Sequence, residues 1–299
     1  MDTPCSFEHH KADLYGRLLP VDATCDNAVQ LSERYRSAEP FPHICIDDMF
    51  DPDVLERVRA EWPTREQRDW LTWDTKNELK HTSRGIQGLS TFTQTFLLQL
   101  CSPQFIDYVK TLTGHDNLLP DPLFYGAGLM ETYRGGWLEI HGDFTRHPLL
   151  PFCRRINLLI YLNRDWDPDW HGELELWDPV TMTRAASFAP YFNRTVIFDT
   201  TTDALHGHPV ALACPAERSR QVISVYYWSA TDEDLERARP INWVRTRMPP
   251  ARAILRGCVP PIIYDLRDCL LRVRKPDNTR RWFPRSTAAW VTAKELERK

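Results

Sequence analysis

The sequence WLEIHGD, residues 137–143, is the stretch from which the rest of the chain is best interpreted. It is an apolar, strand-like run that ends in a histidine and an aspartate two residues apart, His141 and Asp143. On a strand, side chains at i and i+2 point to the same face, so this imidazole and this carboxylate lie side by side. The pattern fits a metal site, but it also fits a solvated pair at a loop edge, and one H-x-D match does not choose between them.

Short apolar runs separated by turns surround this stretch. From about residue 122 to residue 229 they are rich in valine, isoleucine, leucine, tyrosine and tryptophan, as in CRRINLLIYLN, GELELWD, RTVIFDT and SRQVISVYYWS. Several short strands at such spacing are typical of an all-β sandwich or barrel. We therefore predict a fold that is mainly β with flanking helices.

The N-terminal third predicts helices and one long loop. Residues 24–37 suit a short helix, and Asp51 is a plausible N-cap for a second helix with Pro52 in its first turn. Two further helices precede Gly114, which is expected to end the second of them. The polar residues 64–89 lack periodicity and predict a long loop.

Beyond Ser229 the sequence becomes charged and helix-like again. We divide the chain into an N-terminal helical and mixed layer, residues 1–121, a β-core, residues 122–229, and a C-terminal helical extension, residues 230–299. The three segments are expected to form one integrated domain, and the C-terminal helices offer a surface for a homodimer.

Composition narrows the possible functions. The net charge of −4 and the pI near 6.2 argue against general nucleic-acid binding. No long apolar run and no cationic, apolar leader is present, so we expect a cytoplasmic protein without a membrane span. The eight cysteines are irregularly spaced and contain no C-x-x-C, which favours reduced thiols over a disulfide framework or a zinc ribbon.

A second histidine strengthens the metal hypothesis. His206 follows the strand-like run TVIFD and begins another. Two histidines and one carboxylate on facing strands form a face that suits Fe(II) and leaves other coordination positions open, whereas zinc prefers a tetrahedral site. His208 would point the same way as His206, so periodicity alone does not choose between them. His171 and Glu173 form a rival H-x-E pair without an obvious third ligand.

An arginine then opens a strand of core residues. Arg220 begins RQVISVYY, and a buried guanidinium needs an anionic partner. That partner is either an internal carboxylate or the carboxylate of a small molecule, which a guanidinium binds through two parallel hydrogen bonds. Arg218 shares the face of Arg220, so alternation leaves both candidates open.

The order H-x-D, His, Arg on a β-core resembles the Fe(II)/2-oxoglutarate-dependent dioxygenases, most closely their prolyl-4-hydroxylase-like branch. The likeness covers about residues 122–229. The matching residues are Tyr133, Gly135, Gly136, Leu138, His141 and Asp143; then Arg155, Asn157, Tyr161, Leu162, Asn163 and Trp166; then Gly172, Glu173, Leu174 and Leu176; and finally His206, Gly207, Pro209, Arg220, Tyr226 and Tyr227. His171 departs from the pattern where glycine is usual, and Val222 where serine is common.

This resemblance implies a double-stranded β-helix, the jelly-roll or cupin-like core. It implies that His141, Asp143 and His206 are catalytic and hold Fe(II), with 2-oxoglutarate and O2 as cosubstrates. It places the ligand His206 first in the H-G-x-P pattern, and Arg220 on the far carboxylate of 2-oxoglutarate. The hydroxyls of Tyr133 and Tyr161 are further candidates for binding 2-oxoglutarate.

The implied activity is hydroxylation of an unactivated C–H with release of succinate and CO2. Asp143 favours this outcome, or another carbon-centred oxidation such as desaturation, because related halogenases lack the carboxylate. A compact chain with one barrel suggests a small-molecule substrate, such as a biosynthetic intermediate or an amino-acid-like compound. The alternatives are a hydroxylase of prolyl or other protein residues, a non-catalytic β-barrel binding protein and a cupin-type isomerase.

Two residues near the core keep open roles. Arg155 either binds an anionic substrate or pairs with a neighbour. His147 lies in the proline-bearing loop FTRHPLLPF, directly after the H-x-D pair, and that loop is either a substrate lid or a solvated turn.

Overall fold

The protein is described by a computed structural model that covers residues 14–20, 24–65, 67, 69–200, 203–230, 240–244 and 246. The chain divides into two compact units, Met1–Pro249 and Pro250–Lys299, and every described residue belongs to the first. None of the helices within these ranges is both long enough and apolar enough to cross a membrane.

Thirteen strands of the described ranges form one sheet, with the main order β1-β10-β7-β12-β5-β3-β6-β11-β8-β9. Each pairing between them is antiparallel, and β2, β4 and β13 join this path at β3, β12 and β6. The strands are β1 His43–Ile46, β2 Leu71–Asp74, β3 Glu78–Thr82, β4 Leu119–Pro120, β5 Gly128–Tyr133, β6 Trp137–Gly142, β7 Cys153–Tyr161, β8 Leu174–Asp178, β9 Thr183–Phe188, β10 Thr195–Asp199, β11 Leu205–His208, β12 Ser219–Ser229 and β13 Asn242–Val244.

Strand β7 shows why the central strands are apolar on both faces. Ile156, Leu158 and Ile160 point to a core shared with the helices, whereas Leu159 and Tyr161 point into the barrel. A strand covered on both sides reads as a continuous hydrophobic run, which accounts for the sequence INLLIYL. The barrel interior therefore receives every second residue of β7, and this alternation places Tyr161 inside it.

Four helices pack on the outer side of these central strands. They are α1 Cys25–Arg36, α2 Pro52–Ala60, α3 Thr91–Gln99 and α4 Pro103–Thr113. Each begins at a capping side chain that accepts a backbone N–H: Thr24, Asp51, Ser90 and Ser102. Gly114 ends α4 with a positive φ of 81°, which glycine adopts without strain. The helices predicted from sequence in this region are confirmed.

The long loop predicted for residues 64–89 is wrong, because this segment contains the hairpin β2–β3. Strand β2 pairs only with β3 in the described structure and is largely exposed. On β3, Glu78 and Lys80 form an ion pair of 3.1 Å where a core strand would carry apolar side chains. Because the charges replace the apolar alternation, the usual strand signal is missing from the sequence.

The mainly β architecture with flanking helices is confirmed. The division into residues 1–121, 122–229 and 230–299 stays a prediction. The helices expected after residue 230 fall on residues outside the described ranges. Within those ranges, residues 242–244 form β13 and pair with β6 of the core.

Candidate active site

Three predicted ligands converge at one end of the barrel. His141 lies near the end of β6, Asp143 directly follows that strand, and His206 faces His141 from β11. One ligand atom from each of the three residues lies within 4.8 Å of the other two, and all three side chains are buried. Among the described residues this is the one group of three or more histidine, cysteine or acidic side chains so arranged. His208, two residues further on, does not join it.

Backbone carbonyls fix both imidazoles in one tautomer. Nδ1 of His141 lies 2.9 Å from the carbonyl oxygen of Glu139, and Nδ1 of His206 lies 2.9 Å from that of Ala204. A carbonyl only accepts, so Nδ1 carries the proton and Nε2 presents its lone pair. Each Nε2 lies 3.7 Å from an oxygen of Asp143. A hydrogen bond from the other ring nitrogen to a carbonyl is the usual means of orienting a metal-binding histidine.

Burial and neighbouring charges shift the pKa values of two of the three candidate ligands. Burial, followed by the proximity of His141, lowers the pKa of His206 to about 4, so its imidazole is neutral near pH 7. Burial alone would raise the pKa of Asp143. The positive charge of Arg154, aided by both histidines, outweighs this effect and holds the pKa well below its ordinary value. Two imidazoles and one carboxylate form a donor set that fits Fe(II) and leaves coordination positions open.

Arg154 is a component of the site that the sequence does not reveal. Its Nη1 lies 2.8 Å from Oδ2 of Asp143, and its guanidinium stacks over the rings of Tyr226 and Phe144 at 3.7 and 4.1 Å. The side chain is 1% exposed, and none of its three nitrogens makes a directional hydrogen bond within the described residues. Asp143 therefore has a cationic neighbour that is held mainly by aromatic rings.

A β-bulge explains why Arg154, rather than Arg155, lies beside Asp143. Strict alternation from Asn157 and Tyr161 would place residue 155 inside the barrel. The pairing of β7 with β12 shifts between Tyr227 and Trp228, so Arg154 lies opposite Trp228. Arg155 instead donates from Nε to Oγ of Ser229 at 3.0 Å. This contact agrees with one of the two roles considered from sequence, pairing with a neighbouring residue.

Gly207 permits the close approach of β11 to β6. A Cβ atom at this position would lie 2.8 Å from the carbonyl oxygens of both Leu138 and Glu139, which belong to the backbone of β6. The register between the two strands also shifts between His206 and His208. The glycine of the H-G-x-P pattern is therefore required by strand packing, and this packing sets the distance from His206 to His141.

Replacing Gly207 with alanine is expected to separate the two histidines. The added methyl group meets rigid backbone, so β11 must move, and overpacking of this kind costs about 1–3 kcal/mol of stability. We expect the affinity for Co(II), measured by absorbance titration, to fall by at least about tenfold. Gly88→Ala is the control, because a Cβ there meets nothing within 4 Å, although φ is 74°. Equal Co(II) affinity in Gly207→Ala and the wild type would contradict this account.

Arg220 reaches the barrel interior beside Tyr161. Its Nε donates to the carbonyl oxygen of Gly172 at 2.7 Å, and its Nη2 donates to the hydroxyl of Tyr161 at 3.3 Å. It is 5% exposed, and no acidic side chain of the described ranges forms an ion pair with it. Burial lowers its pKa, and Tyr161 and Glu173 oppose that shift. The internal salt bridge considered from sequence is therefore not formed within these ranges, although Glu173 is near enough to influence the guanidinium.

The other arginine and the other tyrosine are not brought to this site. Arg218 donates to the carbonyl oxygen of Arg164 and lies over the ring of Trp170. Tyr133 pairs with Ser219, so it lies on the opposite face of the sheet from Arg220, where its hydroxyl donates to Glu131 at 2.6 Å. This placement does not favour a contact of Tyr133 with 2-oxoglutarate, and that role stays a prediction.

His171 has a backbone conformation that glycine normally supplies. It has φ 61° and ψ −158°, and it precedes Gly172, the residue whose carbonyl holds Arg220. This region of conformational space is essentially restricted to glycine and costs other residues about 1–3 kcal/mol. His171, which stands where the G-G-E-L pattern has its first glycine, is therefore a strained residue close to Arg220.

His171→Gly is expected to stabilise the protein by about 1 kcal/mol, which corresponds to a rise in Tm of about 2–4 °C. The gain is reduced by the greater freedom of glycine in the unfolded chain. Differential scanning calorimetry measures the shift. An unchanged or lower Tm would show that contacts of the imidazole outweigh the backbone strain.

In the loop after Asp143, His147 is buried although several of its neighbours are exposed. His147 is 2% exposed, its Nδ1 accepts from the backbone N–H groups of Leu149 and Leu150, and its ring lies 4.9 Å from that of Trp228. Nε2 lies 3.5 Å from Asp121. His147 itself is therefore not solvated, whereas Pro148, Leu149 and Pro151 of the same loop are exposed, and a role as a lid stays a prediction.

Comparison with known proteins agrees with this geometry. Residues 128–228 match the family model described as 2OG-Fe(II) oxygenase superfamily. A search of curated proteins finds no match.

Three solved structures are similar to this chain at low sequence identity. A prolyl hydroxylase from Trichoplax adhaerens, in complex with a hypoxia inducible factor peptide fragment, is 14% identical and gives a TM-score of 0.50, with 76% of this chain and 94% of that chain covered. A prolyl-4-hydroxylase from Pseudomonas putida is also 14% identical, with a TM-score of 0.47 over 68% of this chain and 97% of that chain. HygX from Streptomyces hygroscopicus, with nickel, 2-oxoglutarate and hygromycin B bound, is 13% identical. Its TM-score is 0.41, with 64% of this chain and 83% of that chain covered.

The likeness to the Trichoplax structure and the nearly closed antiparallel sheet confirm the double-stranded β-helix, or jelly-roll, core. The arrangement of His141, Asp143 and His206 fits the Fe(II) that the family description names. Residues 128–228, about a third of the chain, are thus similar to the 2OG-Fe(II) oxygenase superfamily, the oxidoreductases that use Fe(II), 2-oxoglutarate and O2.

Proposed function

We propose that this protein is an Fe(II)- and 2-oxoglutarate-dependent hydroxylase of a small, polar substrate. His141, Asp143 and His206 hold the metal, and Arg220 with Tyr161 binds the distal carboxylate of 2-oxoglutarate. One oxygen atom of O2 enters a C–H bond as a hydroxyl group and the other enters succinate, while CO2 leaves. The observation that carries the proposal is the convergence of two Nε2 lone pairs and one carboxylate in a buried cluster.

The residues contribute placement and charge. The bound metal supplies the activation of O2. Glu139 and Ala204 keep the imidazole lone pairs aimed at one point, and Arg220 keeps a cation inside the barrel for the cosubstrate. Burial raises the pKa of Tyr161, so its hydroxyl stays protonated near pH 7. A buried site also excludes water and strengthens each electrostatic contact.

Charges beside Asp143 support a polar, amino-acid-like substrate. A metal cation bound to Asp143 would weaken the attraction between that carboxylate and the guanidinium of Arg154. The nitrogens of Arg154 also lack hydrogen-bond acceptors within the described structure. A carboxylate or carbonyl of a substrate matches this need. Glu78 and Lys80 add a second pair of charges, and Lys80 is close enough to Tyr226 and Asp143 for both to raise its pKa.

The direct test uses the full chain with Fe(II) and 2-oxoglutarate. We expect a visible charge-transfer absorbance without oxygen, and succinate formation once oxygen is admitted. A panel of free amino acids and related metabolites, run beside proline-containing peptides, is then followed by mass spectrometry for the gain of one oxygen atom. If neither the charge-transfer absorbance nor succinate is detected, the proposal is contradicted. Oxygen gain in the peptides alone would replace the small-molecule substrate with a protein substrate.

A further inference from the structure

A strand from beyond the matched oxygenase segment lies against the candidate metal site. Strand β13 pairs with β6 in the register Asn242 to Gly142, Trp243 to His141 and Val244 to Ile140. Directly paired residues of an antiparallel ladder project to the same face. Trp243 therefore shares the face of His141, whereas Val244 points to the other side.

The ring of Trp243 packs against the imidazole of His141. The two ring centroids are 5.0 Å apart and the planes are inclined by 30°. The ring of His206 lies on the neighbouring strand, with its centroid 4.5 Å from that of His141. The imidazole of His141 is thus flanked by an aromatic ring from each adjacent strand, and only one of those rings belongs to a candidate ligand.

The end of this strand is tied to the same histidine through Glu139. The backbone N–H of Thr246 donates to Oε1 of Glu139 at 3.1 Å, and the hydroxyl of Thr246 donates to the same oxygen. The backbone carbonyl of Glu139 accepts from Nδ1 of His141. One residue therefore connects the segment after β13 with the hydrogen bond that fixes the tautomer of a candidate ligand.

A purely structural role predicts something different. A short strand that only protects the edge of β6 works through its backbone, so the identity of its side chains matters little to the site. Here the one side chain that shares the face of His141 is a large aromatic in ring contact with it. Packing of this kind restricts rotation of the imidazole about its side-chain bonds, which backbone pairing alone does not do.

We infer that Trp243 is a positioning residue for His141, and that the segment after the barrel is part of the active site. The inference rests on the proposed function, because it assigns His141 to the metal. Trp243 acts through His141 and has no contact with the reacting atoms in this assignment.

The test compares Trp243→Ala, Trp243→Phe and the control Val244→Ala in the full chain. The affinity for Co(II) is measured by absorbance titration without oxygen, so no turnover is needed. We expect Trp243→Ala to weaken Co(II) binding about tenfold, in the range usual for residues that orient metal ligands. Trp243→Phe keeps a ring beside the imidazole and should restore affinity to near the wild-type value. Val244→Ala should bind like the wild type.

Two results would overturn the inference. One is wild-type Co(II) affinity in Trp243→Ala; the other is an equal loss in Trp243→Ala and Val244→Ala, which assigns the effect to the strand as a whole. Thermal melting of each metal-free variant monitors folding. If Trp243→Ala does not fold, Trp243→Leu carries the same comparison, because it keeps apolar bulk without a ring. If the wild-type chain does not bind Co(II), the proposed function itself fails, and the two failures are distinct.

Discussion

Replacing His141 with alanine is expected to remove metal binding and to reduce succinate formation to background. Residues that only orient a metal ligand cost 10–100-fold in affinity or activity, so loss of a ligand is expected to cost more than about 100-fold. His141 supplies one of three donors, and its Nδ1 is already committed to the backbone of Glu139. No neighbouring side chain of the described cluster can replace its Nε2.

Thermal melting with Co(II) measures this loss independently of turnover. A ligand present at 100 times its Kd stabilises the folded protein by about 2.7 kcal/mol, and the His141→Ala variant should gain almost none of it. His208→Ala is the matched control, because His208 is a buried histidine of β11 that lies outside the cluster. A His141→Ala variant that keeps the Co(II)-dependent shift in Tm would rule out the proposed ligand set.

Replacing Arg220 with leucine is expected to weaken 2-oxoglutarate binding while metal binding survives. A hydrogen bond to a charged group contributes about 1.5–3 kcal/mol, so loss of the guanidinium is expected to raise the Kd for 2-oxoglutarate by about 10–100-fold. The absorbance of the ternary complex, titrated with 2-oxoglutarate at saturating metal, measures this Kd. Affinity for Co(II) alone should stay near the wild-type value, because Arg220 is not among the three clustered donors.

Stability should respond in the opposite direction. Burial disfavours the charge of Arg220, and Tyr161 and Glu173 offset this only in part, so the shorter, apolar leucine is expected to keep or raise the Tm of the metal-free protein. Arg218→Leu is the control, since Arg218 contacts Arg164 and Trp170 instead. Unchanged 2-oxoglutarate affinity in Arg220→Leu, or an equal loss in Arg218→Leu, would remove the arginine from the proposed site.

Much of this architecture is predictable because its signals are local. Helix caps such as Asp51 and the stop at Gly114 depend on a few neighbouring residues, and the sequence identifies both. The i to i+2 spacing of His141 and Asp143 likewise needs only an extended backbone. The partnership with His206 follows from the resemblance, and the structure brings the three side chains within 4.8 Å.

Other features depend on which strands pair, and in what register. The bulge between β7 and β12 decides that Arg154 rather than Arg155 faces Asp143. The pairing of Tyr133 with Ser219 places its hydroxyl on the far side of the sheet from Arg220. A one-residue change of register reverses the face of a side chain, and no local pattern in the sequence records it.

Local sequence signals are enough to predict the β-rich core, the capped helices of the N-terminal layer and the residue types for a metal and an anion. Which arginine lies beside Asp143, and which tyrosine lies beside Arg220, follows from the tertiary structure alone. It alone also placed Trp243 of β13 against His141, about a hundred residues away along the chain. Local conformation follows from neighbouring residues, whereas contacts across the sheet depend on bulges and registers that form only when distant strands pair.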